Sequence, residues 1–486
     1  MDRLTDLLFA ATFLLAVLAS TTEQFRSVHL VLMYLFLVAI AFNQYDARRH
    51  GGISPLFSLQ VALTFALGTV LLVLVVGGLG FRRIELLAVL FLLFVFTLVR
   101  DDLGRFLPVA APYLGVAVVV TGIFFSHAQE FGSATGLGLF PVFAGILLAF
   151  NCFVLPRYVS ADAVYWTVAG VAAGATLLAL PAIVYGDFSL WIFEIRTWSA
   201  TVSFGGFGEV PVLRSVFANP NTFGLLAFAG VFASAVAFHR TISRSDYPLL
   251  AAAPLGWLAI TAAGLYLSNS RASMLAAAVA VVVYALVATD RRLLPIAVVG
   301  IAVSVPVFLV LIYHSVLPID PANRFTLWQA GIEATRYDSG LFGQGIIGTG
   351  TAIEPYTDVG GSVHNSYLSI FIRTGLIGGL AYCLLVLGPL VHGTLDYRRV
   401  DAGMFALATG FAIHQFFEGY TLFQLGHGSI LAALAVGYVI TSLAGEIRST
   451  PSDADSAVGR SEGLSSLGFE YGTEARYGTE HRNDRP

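Results

Sequence analysis

The sequence predicts an all-α protein, a polytopic bundle of about 12–14 transmembrane helices with a large outward-facing loop that contains a short amphipathic helix. Three observations lead there. The 486 residues are 57% hydrophobic and only 12% charged, about half the charge of a typical soluble domain, and the mean hydropathy is +0.80. Many apolar runs approach or exceed the roughly 20 residues that cross a bilayer. Those runs are continuous rather than alternating, which excludes a β-barrel. A net charge of −4 says little about partners when most of the surface faces lipid, and no nucleic-acid partner is expected.

Taken in order, spans are read near 5–20, 27–43, 57–77, 84–99, 106–125, 139–156 and 162–185. A second set follows near 220–239, 248–268, 272–289, 293–313, 365–391, 402–422 and 426–445. The first span is short, follows Arg3 and ends in small residues, as a signal peptide does. An uncleaved first helix is expected instead, because another span follows at once. Cys152 and Cys383 lie inside apolar runs and read as small buried hydrophobes. They offer neither a disulfide framework nor zinc-ligand spacing.

All 26 basic residues are arginine, and every positive group is therefore a planar fork suited to phosphate or carboxylate. Arg48, Arg49, Arg100, Arg105, Arg157, Arg240, Arg244, Arg291, Arg292, Arg398 and Arg399 fall on one side of the membrane by this count of spans. The positive-inside rule makes that side cytoplasmic, with Arg82 and Arg83 as the exception. The two long polar loops, 186–219 and 314–364, then both face outward, although neither was used to set the orientation. The membrane domain is read as 1–445. Residues 446–486 are rich in Ser, Gly, Asp, Glu and Arg, cannot bury enough surface to offset chain entropy, and are expected to form a disordered cytoplasmic tail.

Several polar groups converge on the outward side. The first long loop ends in Arg214-Ser215-Val216-Phe217-Ala218-Asn219-Pro220-Asn221. Pro220 suits the first helical turn and Asn219 its cap, so Arg214 stands just before a span. The turn Ser268-Asn269-Ser270-Arg271 is so short that Arg271 must lie near the membrane surface, where it needs a partner or an aqueous cavity. In the large loop, Asn323 to Glu333 reads as an amphipathic helix with Phe325, Trp328 and Ile332 on one face, which would hold Arg324 near the headgroups. Each of these arginines could also be an ordinary interfacial anchor. The glycine-rich run from Gly340 to Gly348 lacks the strand and GK[ST] context of a nucleotide loop and reads as a turn that allows close backbone approach.

His364 stands at the lip of the next span, with Asn365 as its cap and Tyr367 one turn inside. A histidine's ordinary pKa lies near neutrality, which suits proton transfer. His414 and Glu418 have i, i+4 spacing, which would put both on one helix face. They read either as the floor of an outward cavity or as a mutual structural hydrogen bond. No HExxH motif is present, so nothing supports zinc hydrolysis.

These motifs, in this order, resemble the O-antigen ligase and polymerase superfamily. The resemblance is carried by Arg214 with Phe217-Ala218-Asn219-Pro220-Asn221, by Ser270-Arg271, by Arg324 with Trp328, by Gly343-Gln344-Gly345, and by His364-Asn365-Ser366-Tyr367-Leu368 leading to Gly375-Leu376-Ile377-Gly378. It covers about residues 200–390 by motif. It implies a GT-C-like membrane glycosyltransferase, metal-independent and inverting, that needs no cofactor. Such an enzyme takes a glycan from a polyprenyl (pyro)phosphate carrier and passes it to an acceptor hydroxyl on a glycan, lipid or protein at the outer face. Carried over residue by residue, the resemblance makes His364 the catalytic base and Arg214, Arg271 and Arg324 the holders of the carrier phosphates. Asn365, Tyr367, His414 and Glu418 are further candidate cavity or acceptor contacts. The family often has an acidic residue before the Gly-Leu-Ile-Gly stretch, and here Arg373 stands in that region. The competing reading is a flippase or transporter of lipid-linked glycan. Such a protein should place polar groups at mid-bilayer and show related halves, whereas here they gather at one surface.

Overall fold

The computed structural model describes residues 2–19, 21, 103–131, 140–244, 248–314, 323–424 and 426–445. The spans read at 27–43, 57–77 and 84–99, the Arg82–Arg83 exception and the tail 446–486 lie outside these described residues.

Among the described residues, seven helices are long and apolar enough to cross a membrane. The chain begins with α1 (Asp2–Ala19) and resumes with α2 (Leu103–Phe131) and α3 (Phe140–Ala149). Helix α3 runs on through a π-turn, Phe150–Val154, into a 3-10 turn, Leu155–Arg157. Next come α4 (Ala161–Ala179), capped by the Ser160 hydroxyl accepting from Ala163 N, and the short α5 (Ala182–Tyr185).

The first long loop is not irregular. It holds a three-stranded antiparallel sheet of β1 (Phe188–Leu190), β2 (Phe193–Ser203) and β3 (Glu209–Ser215) in the order β1-β2-β3. Its tyrosine and aromatic neighbours tie it to the bundle: Tyr266 donates to the Ser203 carbonyl at 2.5 Å, and the Phe204 and Tyr266 rings lie 5.9 Å apart. The rest is helical, from α6 (Pro220–Arg244) through α7 (Ala252–Leu267), α8 (Arg271–Thr289) and α9 (Leu294–Tyr313). The second long loop contains α10 (Arg324–Tyr337) and α11 (Thr349–Ile353). The chain returns through α12 (Ser366–Leu395), α13 (Ala402–Phe417) and α14 (His427–Leu443).

Helix α14 is the hub. Every residue from His427 to Leu443 is buried, as expected of a helix that is hydrophobic all round and surrounded by others. Its backbone comes close to the π-turn, and a Cβ on Gly437 would lie 2.2 Å from the Cys152 carbonyl oxygen. Glycine is what permits that approach.

The expected arginine end is one end of the bundle. Arg240 at the end of α6 bridges Asp162 of α4 (2.6 Å) and Asp401 before α13 (2.7 Å). Asp401 also caps α13 by accepting from Met404 N at 2.8 Å. Arg291 donates to the Arg398 carbonyl at 2.7 Å, and Asp6 accepts from the Ser160 amide and hydroxyl, both at 3.1 Å. The two long loops emerge at the opposite end.

Two expectations about single helices change. The span read as 365–391 is a helix broken at Gly375 (φ 66°, ψ −164°). The span read as 402–422 stops at Phe417, and Glu418 is extended (φ −132°, ψ 149°). His414 and Glu418 therefore do not share a helix face.

Candidate active site

The second loop builds its own small core at the loop end. Leu327, Ala330 and Ala334 of α10 pack with Ala352, Ile353 and Val363, and with Ile372 of α12. Helix α10 is the expected amphipathic helix, but its buried face is Leu327, Ala330, Gly331 and Ala334. Of the three residues expected to share its apolar face, Trp328 meets Phe416 and Phe417 at 5.8 and 6.0 Å, while Ile332 is exposed. This contact docks the loop on the end of α13.

That docking brings three charged or titratable groups together. Arg324, the first residue of α10, donates through Nη2 to Glu418 Oε1 at 3.0 Å and through Nη1 to the Phe417 carbonyl. His364 Nδ1 lies 3.9 Å from the other carboxylate oxygen, Oε2. The His364 side chain is 40% exposed and that of Glu418 only 11%, so the imidazole faces out while the carboxylate sits beneath it. Burial pushes the Glu418 carboxyl up, but His364, His414 and Arg324 outweigh it and hold the carboxyl below its ordinary value.

The chain ends that carry these groups are locked. Asn365 caps α12 by accepting from Leu368 N at 3.0 Å. The Ser366 hydroxyl lies against the carbonyls of Glu418, at 2.7 Å, and Tyr420. Tyr367 donates to the Ala412 carbonyl at 3.0 Å. Asn365 and Tyr367 are thus committed to capping and packing. His414, expected on a cavity floor, is fully buried and bonds Ser273 at 2.9 Å rather than Glu418.

The other two arginines stand on neighbouring turns of the same end. Arg214 closes the turn before α6 by donating to the Ala218 carbonyl at 2.9 Å. Its guanidinium lies 5.7 Å from the Trp198 ring of β2, and its Nε is buried without a partner among the described residues. Asn219 caps α6 as expected, accepting from Thr222 N at 2.8 Å. Thr222 in turn is joined to α14 through His427 Nε2 at 3.2 Å. Arg271 opens α8, exposed. The preceding Ser270 bonds Ser273 at 2.8 Å, and a Cβ on Gly224 of α6 would lie 2.5 Å from the Ser270 Cβ.

One feature was invisible in the sequence. Five described non-glycine residues have positive φ: Trp191, Ser215, Asn269, Asn323 and His364. Ser215 follows Arg214, Asn269 precedes Arg271 by two, Asn323 precedes Arg324, and His364 is the fifth. Left-handed backbone at non-glycine residues concentrates where structure over-determines a functional turn.

Residues 256–383 match the family model Wzy_C, O-antigen ligase. The match bears out the resemblance drawn from the motifs. The O-antigen ligase match contains Arg271, Arg324, His364, Asn365 and Tyr367. Arg214, His414 and Glu418 lie outside it, yet Glu418 is the group that Arg324 and His364 share. No curated protein matches the chain. The O-antigen ligase match and the apolar helices together describe an integral membrane protein.

Proposed function

We propose that this protein transfers a glycan from a polyprenyl (pyro)phosphate carrier to an acceptor hydroxyl at the outer face of the cytoplasmic membrane, as a ligase or a polymerase. The observation that carries the reading is the cluster at the loop end. A half-exposed imidazole, His364, sits over a buried carboxylate and beside an arginine on the docked loop helix.

In this reading His364 accepts the proton of the acceptor hydroxyl as its oxygen forms a bond to the anomeric carbon. The bond from that carbon to the carrier phosphate breaks from the opposite side, and the configuration inverts. The electron pair leaves on the phosphate, where Arg214, Arg271 and Arg324 stabilise it. Fixed cationic donors in a dehydrated cleft each contribute about 2–4 kcal/mol to such a transition state. Glu418 orients His364 and faces the imidazolium that forms. Because Arg324 is engaged by Glu418, phosphate binding at Arg324 means sharing or exchanging that carboxylate. No metal enters this scheme.

The test is a strain lacking the protein, complemented with His364→Ala. The reading expects carrier-linked glycan to accumulate and transfer to be lost while the variant is still expressed and inserted. Normal glycan transfer by that variant would remove His364 from the chemistry. Accumulation of long carrier-linked chains in the deletion marks a ligase, and of single repeat units a polymerase.

A further inference from the structure

The break in α12 is filled by the glycine-rich segment of the loop. Gln344 N donates to the Ile372 carbonyl (2.9 Å) and Gly345 N to the Arg373 carbonyl (3.0 Å). In return Leu376 N and Ile377 N donate to the Gly340 and Leu341 carbonyls, both at 3.1 Å. Backbone groups freed in a membrane helix must find partners in the protein, and this strap supplies them. Gly343 and Gly345 both sit at φ +84°, and a Cβ on Gly343 would lie 2.3 Å from the Arg373 carbonyl. His127 of α2 fixes the strap from the other side through the Phe342 carbonyl at 2.8 Å.

This rigid crossing presents two under-used donors. Arg373 spends only its Nε, on the Ile347 carbonyl at 3.2 Å, and no carboxylate pairs with it among the described residues. Gln344 Nε2 is buried with no partner there. An arginine at the edge of a span, with no described carboxylate beside it, leaves a counter-charge to be supplied, and a planar fork plus an amide N–H matches a phosphate. The surroundings indicate where the phosphate comes from. Leu341 and Phe342 on the strap are exposed, as are Leu376, Ile377 and Leu380 just beyond the break, and the Leu341 and Ile377 backbones are hydrogen-bonded to each other; exposed apolar side chains of this kind face acyl chains.

We propose that Arg373 and Gln344 form an oxyanion site for the phosphate of a membrane lipid entering from the bilayer side. This site does not depend on the role of His364.

Native mass spectrometry of the full chain in detergent tests it, with diacyl phosphatidic acid as probe, diacylglycerol as the phosphate-free control and inorganic phosphate as competitor. The wild type should retain phosphatidic acid in preference to diacylglycerol. Arg373→Gln should hold one phosphatidic acid fewer, with that site weakened about thirtyfold or more. Gln344→Leu should weaken it about fivefold, and Arg336→Gln, an exposed arginine on α10, should not. If Arg373→Gln fails to fold, Arg373→Lys carries the test, since it keeps the charge but loses the fork. Displacement by inorganic phosphate at matched concentration would overturn the lipid source in favour of a free anion. Unchanged phosphatidic acid binding in the Arg373 and Gln344 variants, even with lowered heat stability, would overturn the site and leave Arg373 as a clamp on the strap.

Discussion

At the scale of single residues, the site is a set of strained turns rather than a pocket of free side chains. His364 has φ 46°, and Asn365, Ser366 and Tyr367 after it are all bonded into the helix start or its neighbours. The backbone of His364, and with it the direction of its Cα–Cβ bond, is thereby fixed. Arg214→Lys should cut glycan transfer by at least about tenfold in the complementation assay, because a point charge does not replace a fork that also reaches Ala218. Glu418→Gln should lower transfer by a comparable factor while the protein remains inserted. The Glu418 carboxyl is held below its ordinary value, so its contribution to stability is full above that value and is lost as pH falls through the depressed folded-state value. Unfolding followed against pH should therefore show an acid-side decline below about pH 4.5 that is smaller in Glu418→Gln. The types and order of Arg214, Arg271, Arg324 and His364 were legible because each is a polar residue beside an apolar span. The partnership of Arg324 with Glu418, 94 positions away, was not. Spacing suggested His414 for Glu418, and only the helix ending at Phe417 shows why that pairing fails.

At the scale of elements, apolar run length placed a helix at each described run, because long apolar runs leave little else for the chain to do; seven of those helices reach spanning length. Three things escaped it. The sheet of β1, β2 and β3 was missed, although Phe193 to Ser203 is a run in which aromatic and β-branched residues recur among polar ones. The break at Gly375 follows Arg373 and Thr374 in a run that is otherwise largely apolar and was read as one span. The glycine segment was read as a turn of close backbone approach, and that holds, but what it approaches is a helix far along the chain. Substituting Gly375 or Gly343 by alanine should be far more harmful than substituting an open glycine such as Gly340. A Cβ at Gly375 would lie 2.4 Å from the Leu341 carbonyl carbon, with positive φ besides. A loss of about 2–4 kcal/mol is expected, read as earlier thermal unfolding in detergent. Gly340→Ala carries only the φ penalty, about 1 kcal/mol.

For the whole molecule, the two ends divide the work. The arginine end is closed by the bridge from Arg240 to Asp162 and Asp401, which joins α4, α6 and α13 far from His364. Arg240→Ala should destabilise the fold by about 3 kcal/mol, since it leaves two carboxylates in a partly buried place without their cation. The membrane-inserted fraction should fall, while transfer per folded molecule stays near that of the wild type. The alternation of arginine-rich and loop-bearing ends was readable from the sequence, because charge asymmetry follows topology. That α14, one of the last apolar runs, would be the buried centre was not readable, because a run facing lipid and a run facing protein are equally apolar.

The broken helix also bears on how the chain is made. Residues 376–395, past the break, would extend about 30 Å at 1.5 Å per residue, which already suffices to cross the hydrocarbon. The piece from Ser366 to Thr374 is surplus to that crossing and packs with the loop core through Ile372. The insertion machinery can therefore commit the chain to the bilayer on the second half alone. The strap, translated earlier, would dock afterwards, when the first half folds down beside it. The assembly of the site would then be a late event in biogenesis, separable in time from the threading of the spans.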